Sequence, residues 1–248
     1  MTNIYSEIRE AAEPLGIPGR ALAIGAHPDD IEFGAGGTLA RWAAAGCHVT
    51  MLVVTDGSKG SWDPNVDPVE LADRRTAEQA EAAAALGAAE VVQLDYVDGE
   101  LEYSMELRRR LCEQIRLAQP DVLLSHDPWK RYQIHPDHRA TGLGATDAMV
   151  AARDPLFFPD MDVAPHRPEA MLLWAADEPD HWEPIAETFS TKLTALLCHS
   201  SQGETTMGDA QANDDARDSF EAKIRAWAER NAAGTDFGLA EAFKRLTP

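Results

Sequence analysis

The ten residues ALAIGAHPDD, at positions 21–30, decide the fold of this chain. Six apolar or small residues in a row predict a short buried strand, and the polar tetrapeptide His27-Pro28-Asp29-Asp30 follows where that strand ends. Residues 31–45 then show the apolar spacing of a helix, with Gly46 as a C-terminal cap. A strand, a polar loop and a helix in this order predict an open α/β sheet, whose chemistry lies at the carboxyl ends of its strands.

The alternation of strand and helix patterns continues along most of the chain. Strand patterns cover residues 49–55, 91–95, 121–126 and 169–176, and helical patterns include 105–118 and 138–152. Such alternation predicts the α/β class, with a Rossmann-like, mostly parallel sheet and helices on both of its faces.

The size of the chain is compatible with one folded unit. With 248 residues, of which 44% are hydrophobic, we expect a single α/β domain over residues 1–248. The C-terminal third, from about residue 154 to 248, is less regular, with helical patterns at 192–198 and 220–229 and weak periodicity from Gly234. We expect this part to be an extension that contributes to the functional site.

The composition of the chain is strongly acidic. It contains 22 Lys and Arg residues against 42 Asp and Glu residues, a formal net charge of −20. This charge argues against nucleic acid or an anionic membrane as a partner, because both attract positively charged surfaces. Three cysteines without metal-type spacing are typical of reduced thiols, and residues 1–20 lack a signal-peptide pattern. We therefore expect a cytoplasmic protein.

A second tetrapeptide, His135-Pro136-Asp137-His138, resembles the first and also lies between a strand pattern and a helical pattern. Either tetrapeptide alone is compatible with an ordinary helix start, where Pro and Asp are common. Together they predict one metal site, because imidazole and carboxylate groups bind zinc and catalytic zinc sites use three protein ligands. The pattern offers His27, Asp30 and His138 as ligands, with His138 at the start of its helix, and leaves Asp29 free as general base.

Several other features near these motifs have two interpretations. The long loop at residues 57–68 is either a wall of the site or an ordinary surface loop. The glycines Gly34, Gly36 and Gly37 are expected to permit close helix packing rather than phosphate binding. His126 is expected to be a hydrogen-bonded structural histidine rather than a pocket residue. Three further histidines are expected on the surface or in loops: His48, His166 and His181.

The two tetrapeptides resemble the signatures of the PIG-L/LmbE-like zinc-dependent N-deacetylases, which are Ala-His-Pro-Asp-Asp after the first strand and a later His-Pro-Asp-His. The resemblance covers about residues 21–203 and departs at Gly57-Ser58-Lys59, where many relatives carry Gly-Glu. Weaker matches follow in the family's order at Thr55-Asp56-Gly57, Arg75, Leu86-Gly87, Asp98-Gly99 and His199.

The resemblance implies an LmbE-like fold and one zinc ion per chain, held by His27, Asp30 and His138, with Asp29 as general base. Amide hydrolysis needs a nucleophilic water at neutral pH and a polarised carbonyl, and zinc supplies both. We therefore expect a hydrolase that removes an N-acetyl or related N-acyl group through a zinc-activated water. The sequence leaves open whether Asp29 or His135 protonates the leaving amine. The alternative is a non-catalytic zinc-binding or scaffold protein that retains the fold.

The resemblance also implies roles for further residues. His135 is implied to stabilise the oxyanion and Asp137 to be its supporting partner, while Arg75 and Asp98 bind the substrate. The ordinary alternative for Arg75 is a solvated helix charge paired with Glu78. We expect the substrate to be an N-acetylated amino sugar or its conjugate. We expect no nucleic acid or membrane partner. The sequence leaves open whether the protein forms a homo-oligomer.

Overall fold

The computed structural model describes residues 13–248. The strands are β1 (Arg20–Gly25), β2 (His48–Thr55), β3 (Glu90–Tyr96), β4 (Val122–His126), β5 (Ala170–Trp174), β6 (His181–Pro184) and β7 (Ala240–Leu246). The α-helices are α1 (Asp30–Ala44), α2 (Pro68–Leu86), α3 (Met105–Ala118), α4 (Pro136–Arg153), α5 (Phe189–Cys198) and α6 (Asp214–Ala232). None of the helices in this part of the chain is long and apolar enough to cross a bilayer. The sequence-based prediction that residues 1–20 form no signal peptide lies largely outside the described residues.

The seven strands form one sheet in the order β3-β2-β1-β4-β5-β7-β6. The first five strands along the chain are parallel to one another, whereas β7 runs antiparallel to both β5 and β6. The direction of the connections reverses between β1 and β4, because β2 and β3 lie on one side of this point and β5 on the other. Open α/β sheets bind ligands in the crevice at such a reversal. The two tetrapeptides follow these same two strands.

Apolar layers cover both faces of the sheet. Consecutive residues of β1 point to opposite faces, so Ala23 packs in the layer that includes residues of α1, α2 and α5, while Ile24 packs in the layer of α3 and α4. Burial on both faces explains why β1, β2, β4 and β5 are mostly apolar in the sequence, whereas the edge strand β3 is partly exposed and carries charged residues. The predicted fold class, a mostly parallel sheet with helices on both faces, is confirmed.

Two glycines of α1 allow this helix to lie close to its neighbours. A Cβ atom added at Gly34 would lie 2.5 Å from ring atoms of Trp174, and one added at Gly37 would lie 2.6 Å from Ile185. Such distances are too short for a side chain, so these positions admit only glycine without a shift of the neighbour. The interpretation of the glycine cluster as a packing feature is confirmed.

Helix α4 begins at Pro136, two residues before the predicted start. Proline fits the first helical turn because its missing N–H group needs no partner there. His135 is the N-cap residue, and His138 lies within the first turn instead of opening the helix.

The C-terminal part contains two strands that the sequence patterns did not predict, β6 and β7. Strand β6 has only four residues, and β7 carries Glu241 on a buried position, where its carboxylate accepts the backbone N–H groups of Gly37 and Thr38. A short strand and a buried charge both obscure the apolar pattern on which such a prediction depends. His181 was expected on the surface or in a loop, but it is buried in β6 and contacts Glu183.

Candidate active site

Three predicted metal ligands converge at the carboxyl ends of β1 and β4. His27 Nδ1 lies 3.2 Å from Asp30 Oδ2, and His138 Nε2 lies 3.2 Å from both His27 Nδ1 and Asp30 Oδ1. Donor atoms that bind one zinc ion tetrahedrally at ~2.0–2.1 Å lie roughly 3.3–3.4 Å from one another. The three side chains therefore fit a single small cation with little movement.

Other combinations of side chains around this point could also hold an ion. Their ligand atoms lie within 4.8 Å of one another in three groups: His27, His135 and His138; Asp30, His126 and His138; and His27, Asp98 and Asp137. Each group shares at least one member with the predicted set. We retain the predicted set because each of its side chains lies 3.2 Å from the other two, and because both nitrogens of His27 then have a function.

The second nitrogen of His27 faces two carboxylates. His27 Nε2 lies 3.1 Å from Asp137 Oδ2 and 3.2 Å from Asp98 Oδ1. Because these two carboxylates accept a hydrogen bond from Nε2, the ring proton stays on Nε2 and Nδ1 is free to bind a metal ion. Carboxylates behind histidine ligands commonly orient the ring in this way. Burial lowers the pKa of His27, but hydrogen bonds to Asp137, Asp30 and Asp98 outweigh it and raise this pKa well above the usual value. The site therefore attracts positive charge.

The Asp137 carboxylate contacts His27, and Asp137 reaches its predicted partner, His135, only through the backbone. Its carboxylate also accepts the Gly99 N–H at 2.7 Å, and only its backbone N–H reaches His135, at Nδ1, over 3.3 Å. This correction follows from the helix start, because the N-cap side chain accepts a backbone N–H while the next residues project elsewhere. Burial, together with His27 and His138, lowers the pKa of His135. A neutral His135 ring with an accepting Nδ1 carries its proton on Nε2.

Asp29 is not an ordinary helix cap. It precedes α1 with φ of 100°, a left-handed conformation, and its side chain makes no capping hydrogen bond. Its Oδ2 atom is buried and has no hydrogen-bond partner among the described residues, while Arg75 Nη2 lies 3.8 Å away. Burial raises the pKa of Asp29 to about 6; Arg75 opposes the rise and Asp30 adds to it. The carboxylate is therefore available for proton transfer.

Arg75 is buried and holds two loops of the site together. Its Nη1 donates to Gly57 O at 3.0 Å and its Nη2 donates to Pro28 O at 2.6 Å. The alternative of a solvated charge paired with Glu78 is wrong, because Glu78 instead accepts hydrogen bonds from Arg74, Ser200 and Ser201.

A cavity of about 460 Å³ opens over the cluster. Asp29, His135, Arg75 and Asp98 all line it, and Asp98 also accepts the Lys59 N–H at 3.1 Å. The β2–α2 loop supplies residues 59–62 to the wall, so the interpretation of this loop as part of the site is confirmed. From the C-terminal third come Gln202, Thr205 and Thr206.

His126 lies behind Asp30, one of the predicted metal ligands. The Trp174 indole N–H donates to His126 Nδ1 at 3.1 Å, and the Ala26 N–H donates to Nε2 at 3.2 Å. Nε2 also lies 3.3 Å from Asp30 Oδ2. His126 is thus a hydrogen-bonded buried histidine, as expected, but its partner belongs to the site.

Three buried polar residues beneath Asp29 were not singled out as site residues: Glu32, Gln79 and His199. Gln79 Nε2 donates to Glu32 Oε1 at 2.6 Å, and Glu32 Oε1 lies 3.5 Å from His199 Nε2. Burial lowers the pKa of His199, but Glu32 outweighs it and raises this pKa. The sequence contains one sign of this buried polar group: Glu32 is a charged residue on the apolar side of α1.

The arrangement of the site is typical of metal-dependent hydrolases. Three imidazole or carboxylate ligand atoms leave room for a water molecule, and an unligated carboxylate lies beside them. The sequence of residues 22–149 matches the family model described as PIG-L, GlcNAc-PI de-N-acetylase. The chain belongs to this family.

Individual relatives place the chain more closely. It is 36% identical over 193 residues to a diacetylchitobiose deacetylase of Thermococcus kodakarensis, which covers 77% of this chain and 72% of the relative. It is 33% identical to a 1D-myo-inositol 2-acetamido-2-deoxy-alpha-D-glucopyranoside deacetylase of Kineococcus radiotolerans, over 56% of this chain and 47% of that protein. The solved N,N'-diacetylchitobiose deacetylase of Pyrococcus horikoshii superimposes with a TM-score of 0.83 and 31% identity, over 93% of this chain and 84% of that one.

Proposed function

We propose that the chain is a metal-dependent hydrolase that removes the N-acetyl group, or a related N-acyl group, from a small amino-sugar substrate. Membership of the family and the deacetylase relatives support the reaction. The observation that carries the proposal is the Asp29 carboxylate, buried and without a hydrogen-bond partner for its Oδ2 atom, beside three converging ligand atoms. A purely structural metal site does not need an unligated carboxylate beside the metal ion.

The metal ion that we propose is zinc, one per chain. His27, Asp30 and His138 would hold it, and their nitrogen and oxygen donors suit zinc. When bound, zinc polarises a carbonyl group and lowers the pKa of a water molecule to ~7. The carboxylates of Asp98 and Asp137 favour this arrangement, since they hold the His27 proton away from Nδ1.

The residues around the metal site divide the proton transfers between them. Asp29 accepts a proton from a water molecule while the oxygen of that water attacks the acetyl carbonyl carbon. His135 donates its Nε2–H to the carbonyl oxygen, on which negative charge develops. The C–N bond then breaks, and the leaving amine takes a proton from Asp29 or from His135. Asp137 supports both histidines, through its carboxylate on His27 and its backbone N–H on His135.

The cavity wall offers groups that suit a sugar. We propose that Asp98 accepts a substrate hydroxyl group and that Arg75 contributes positive charge for substrate oxygens. Trp62 is 72% exposed at the rim and presents an aromatic ring on which a sugar ring can pack. A single domain over the whole chain, with residues 154–248 contributing to the site, and a cytoplasmic location belong to the same proposal.

Release of acetate from a panel of amino sugars tests the function. The panel contains N-acetylglucosamine, N,N'-diacetylchitobiose and the N-acetylglucosaminyl inositol named for the Kineococcus radiotolerans relative. We expect the zinc-loaded protein to release acetate from at least one of them, and Asp160→Asn, a change at an exposed residue, to leave the rate unaltered. Failure on every acetylated amino sugar by a folded, zinc-loaded protein would contradict the proposal and favour the non-catalytic alternative.

Replacement of His126 by phenylalanine is expected to weaken zinc binding by about 10–100-fold, the usual effect of losing a side chain that orients a metal ligand. The phenyl ring keeps the packing against Trp174 but removes the nitrogen that lies 3.3 Å from Asp30. Titration against a chromogenic chelator measures the affinity. His166→Phe, at a histidine that contacts Pro120 O, is the matched control and should bind zinc as the unaltered protein does. Unchanged affinity in His126→Phe would contradict the assignment.

A further inference from the structure

The backbone of Asp29 adopts a conformation that L-amino acids rarely take, with φ of 100° and ψ of −26°. An N-cap residue normally has an extended backbone and turns its side chain onto the N–H groups of the helix. Conformations such as that of Asp29 persist only where surrounding contacts hold them. The conformation frees the carboxylate from capping and places it in the wall of the cavity.

The Asp29 carboxylate has few contacts of its own that could fix its direction. Its Oδ2 atom has no hydrogen-bond partner among residues 13–248, and the nearest cation, Arg75, is 3.8 Å away. The direction of the carboxylate therefore depends on how firmly the backbone of this residue is held.

Two side chains on one face of α2 hold that backbone. Gln79 Oε1 accepts the Asp29 N–H at 3.2 Å, and Arg75, one helical turn earlier, donates to Pro28 O at 2.6 Å. Both side chains are buried, so water does not compete for these hydrogen bonds. Gln79 is the one that binds the strained residue itself.

Glu32 fixes the orientation of the Gln79 amide. A backbone N–H can only donate, so the oxygen of the Gln79 side chain faces Asp29 and its nitrogen faces away. That nitrogen donates to Glu32 Oε1 at 2.6 Å, and both side chains are 0% exposed. Rotation of the amide by 180° would place N–H against N–H at Asp29 and would lose both hydrogen bonds.

We propose that Gln79 is a positioning residue for the general base: it holds the left-handed backbone of Asp29, and Glu32 holds Gln79 in the required orientation. This role rests on the proposed function, because it assumes that Asp29 removes a proton from water. Gln79 itself does not line the cavity and acts only through Asp29.

Exchange of the chemical groups between Gln79 and Glu32 tests this arrangement. In Gln79→Glu two carboxylates face each other, the Asp29 loop is displaced, and kcat should fall by about 10–100-fold, since a displacement of about 1 Å can cost about 100-fold in rate. In the double variant Gln79→Glu/Glu32→Gln the amide of residue 32 donates to the carboxylate of residue 79, which again accepts the Asp29 N–H. The double variant should recover at least about tenfold of the lost kcat, a coupling that independent sites do not show.

Two readouts separate positioning from a general loss of structure. KM and the zinc dissociation constant should stay within about threefold of the unaltered protein in each variant, because neither residue touches substrate or metal. Hydrogen exchange at the Asp29 amide, measured by NMR or by mass spectrometry of its peptide, should be faster in Gln79→Met, which keeps the side-chain volume but removes the acceptor. Gln114→Met, on α3 at the other face of the sheet, is the matched control and should alter neither exchange nor kcat.

The outcomes are distinct for the two proposals. Unaltered kcat in folded Gln79→Glu, or a double variant no faster than Gln79→Glu, would overturn the positioning role. An unchanged exchange rate at Asp29 in Gln79→Met would also overturn it, whatever the substrate. If the unaltered protein hydrolyses nothing while exchange at Asp29 does depend on Gln79, the proposed function fails and the structural contact stands.

Discussion

Replacement of Asp29 by asparagine is expected to lower kcat by about 10²–10⁴-fold, the usual contribution of a general base. Asparagine keeps the size of the side chain and tolerates positive φ values, so the loop can retain its conformation. It cannot take a proton from water. Zinc affinity should change little, because Asp29 is not among the three proposed ligands. Measurement of kcat and of zinc content in the same preparations checks both expectations.

Asp95→Asn provides a matched control for this substitution. Asp95 is also an aspartate with positive φ, 56°, but it lies exposed in β3, away from the cavity. The control should keep the full kcat. Equal activity of Asp29→Asn and the unaltered protein, at equal zinc content, would exclude Asp29 as the base.

Removal of the metal ion is expected to lower the rate of acetate release on the order of 10³-fold or more, because a Lewis acid contributes several kcal/mol to such a reaction. Dialysis against a chelator should therefore inactivate the protein, and one equivalent of zinc should restore it. His138→Ala removes one of the three ligands and should not be restored by the same amount of zinc. Thermal unfolding measured with and without zinc should show a higher Tm for the loaded protein, because the ion binds the folded state.

His166→Ala is the control for the loss of a histidine, because His166 contacts Pro120 O rather than any residue of the cluster. It should lose and regain activity with chelator and zinc as the unaltered protein does. Full activity after exhaustive chelation, with the residual metal shown to be far below one equivalent, would rule out the metal-dependent mechanism.

The convergence of the three proposed metal ligands could be predicted from the sequence for a simple reason. Continuous apolar runs mark β1 and β4 as buried parallel strands, and polar residues that follow such strands meet at one edge of the sheet. His27, Asp30 and His138 stand directly after these strands or in the first turn of a following helix. Their positions depend on local patterns, which a single sequence contains.

The contacts that support these ligands depend on tertiary packing and could not be predicted in the same way. Asp137 is two residues from His135 in the sequence, yet its carboxylate faces His27, more than one hundred positions away. Gln79 stands in an Ala- and Glu-rich helix where nothing distinguishes it from its exposed neighbours. Only the packing of α2 against α1 brings Gln79 to the Asp29 backbone.

Strand β7 connects the assembly of the sheet to the order in which the chain is synthesised. It is the last of the seven strands along the chain, but it lies between β5 and β6. Residues of β6 therefore cannot pair until β7 has emerged. At translation rates of about 5–20 residues per second, this delay is roughly 3–11 s. Glu241 of β7 also anchors α1, the helix that opens with Asp30. The ribosome thus delivers both tetrapeptides before β7, and the helix that bears one of the proposed ligands gains this anchor only after β7 has emerged.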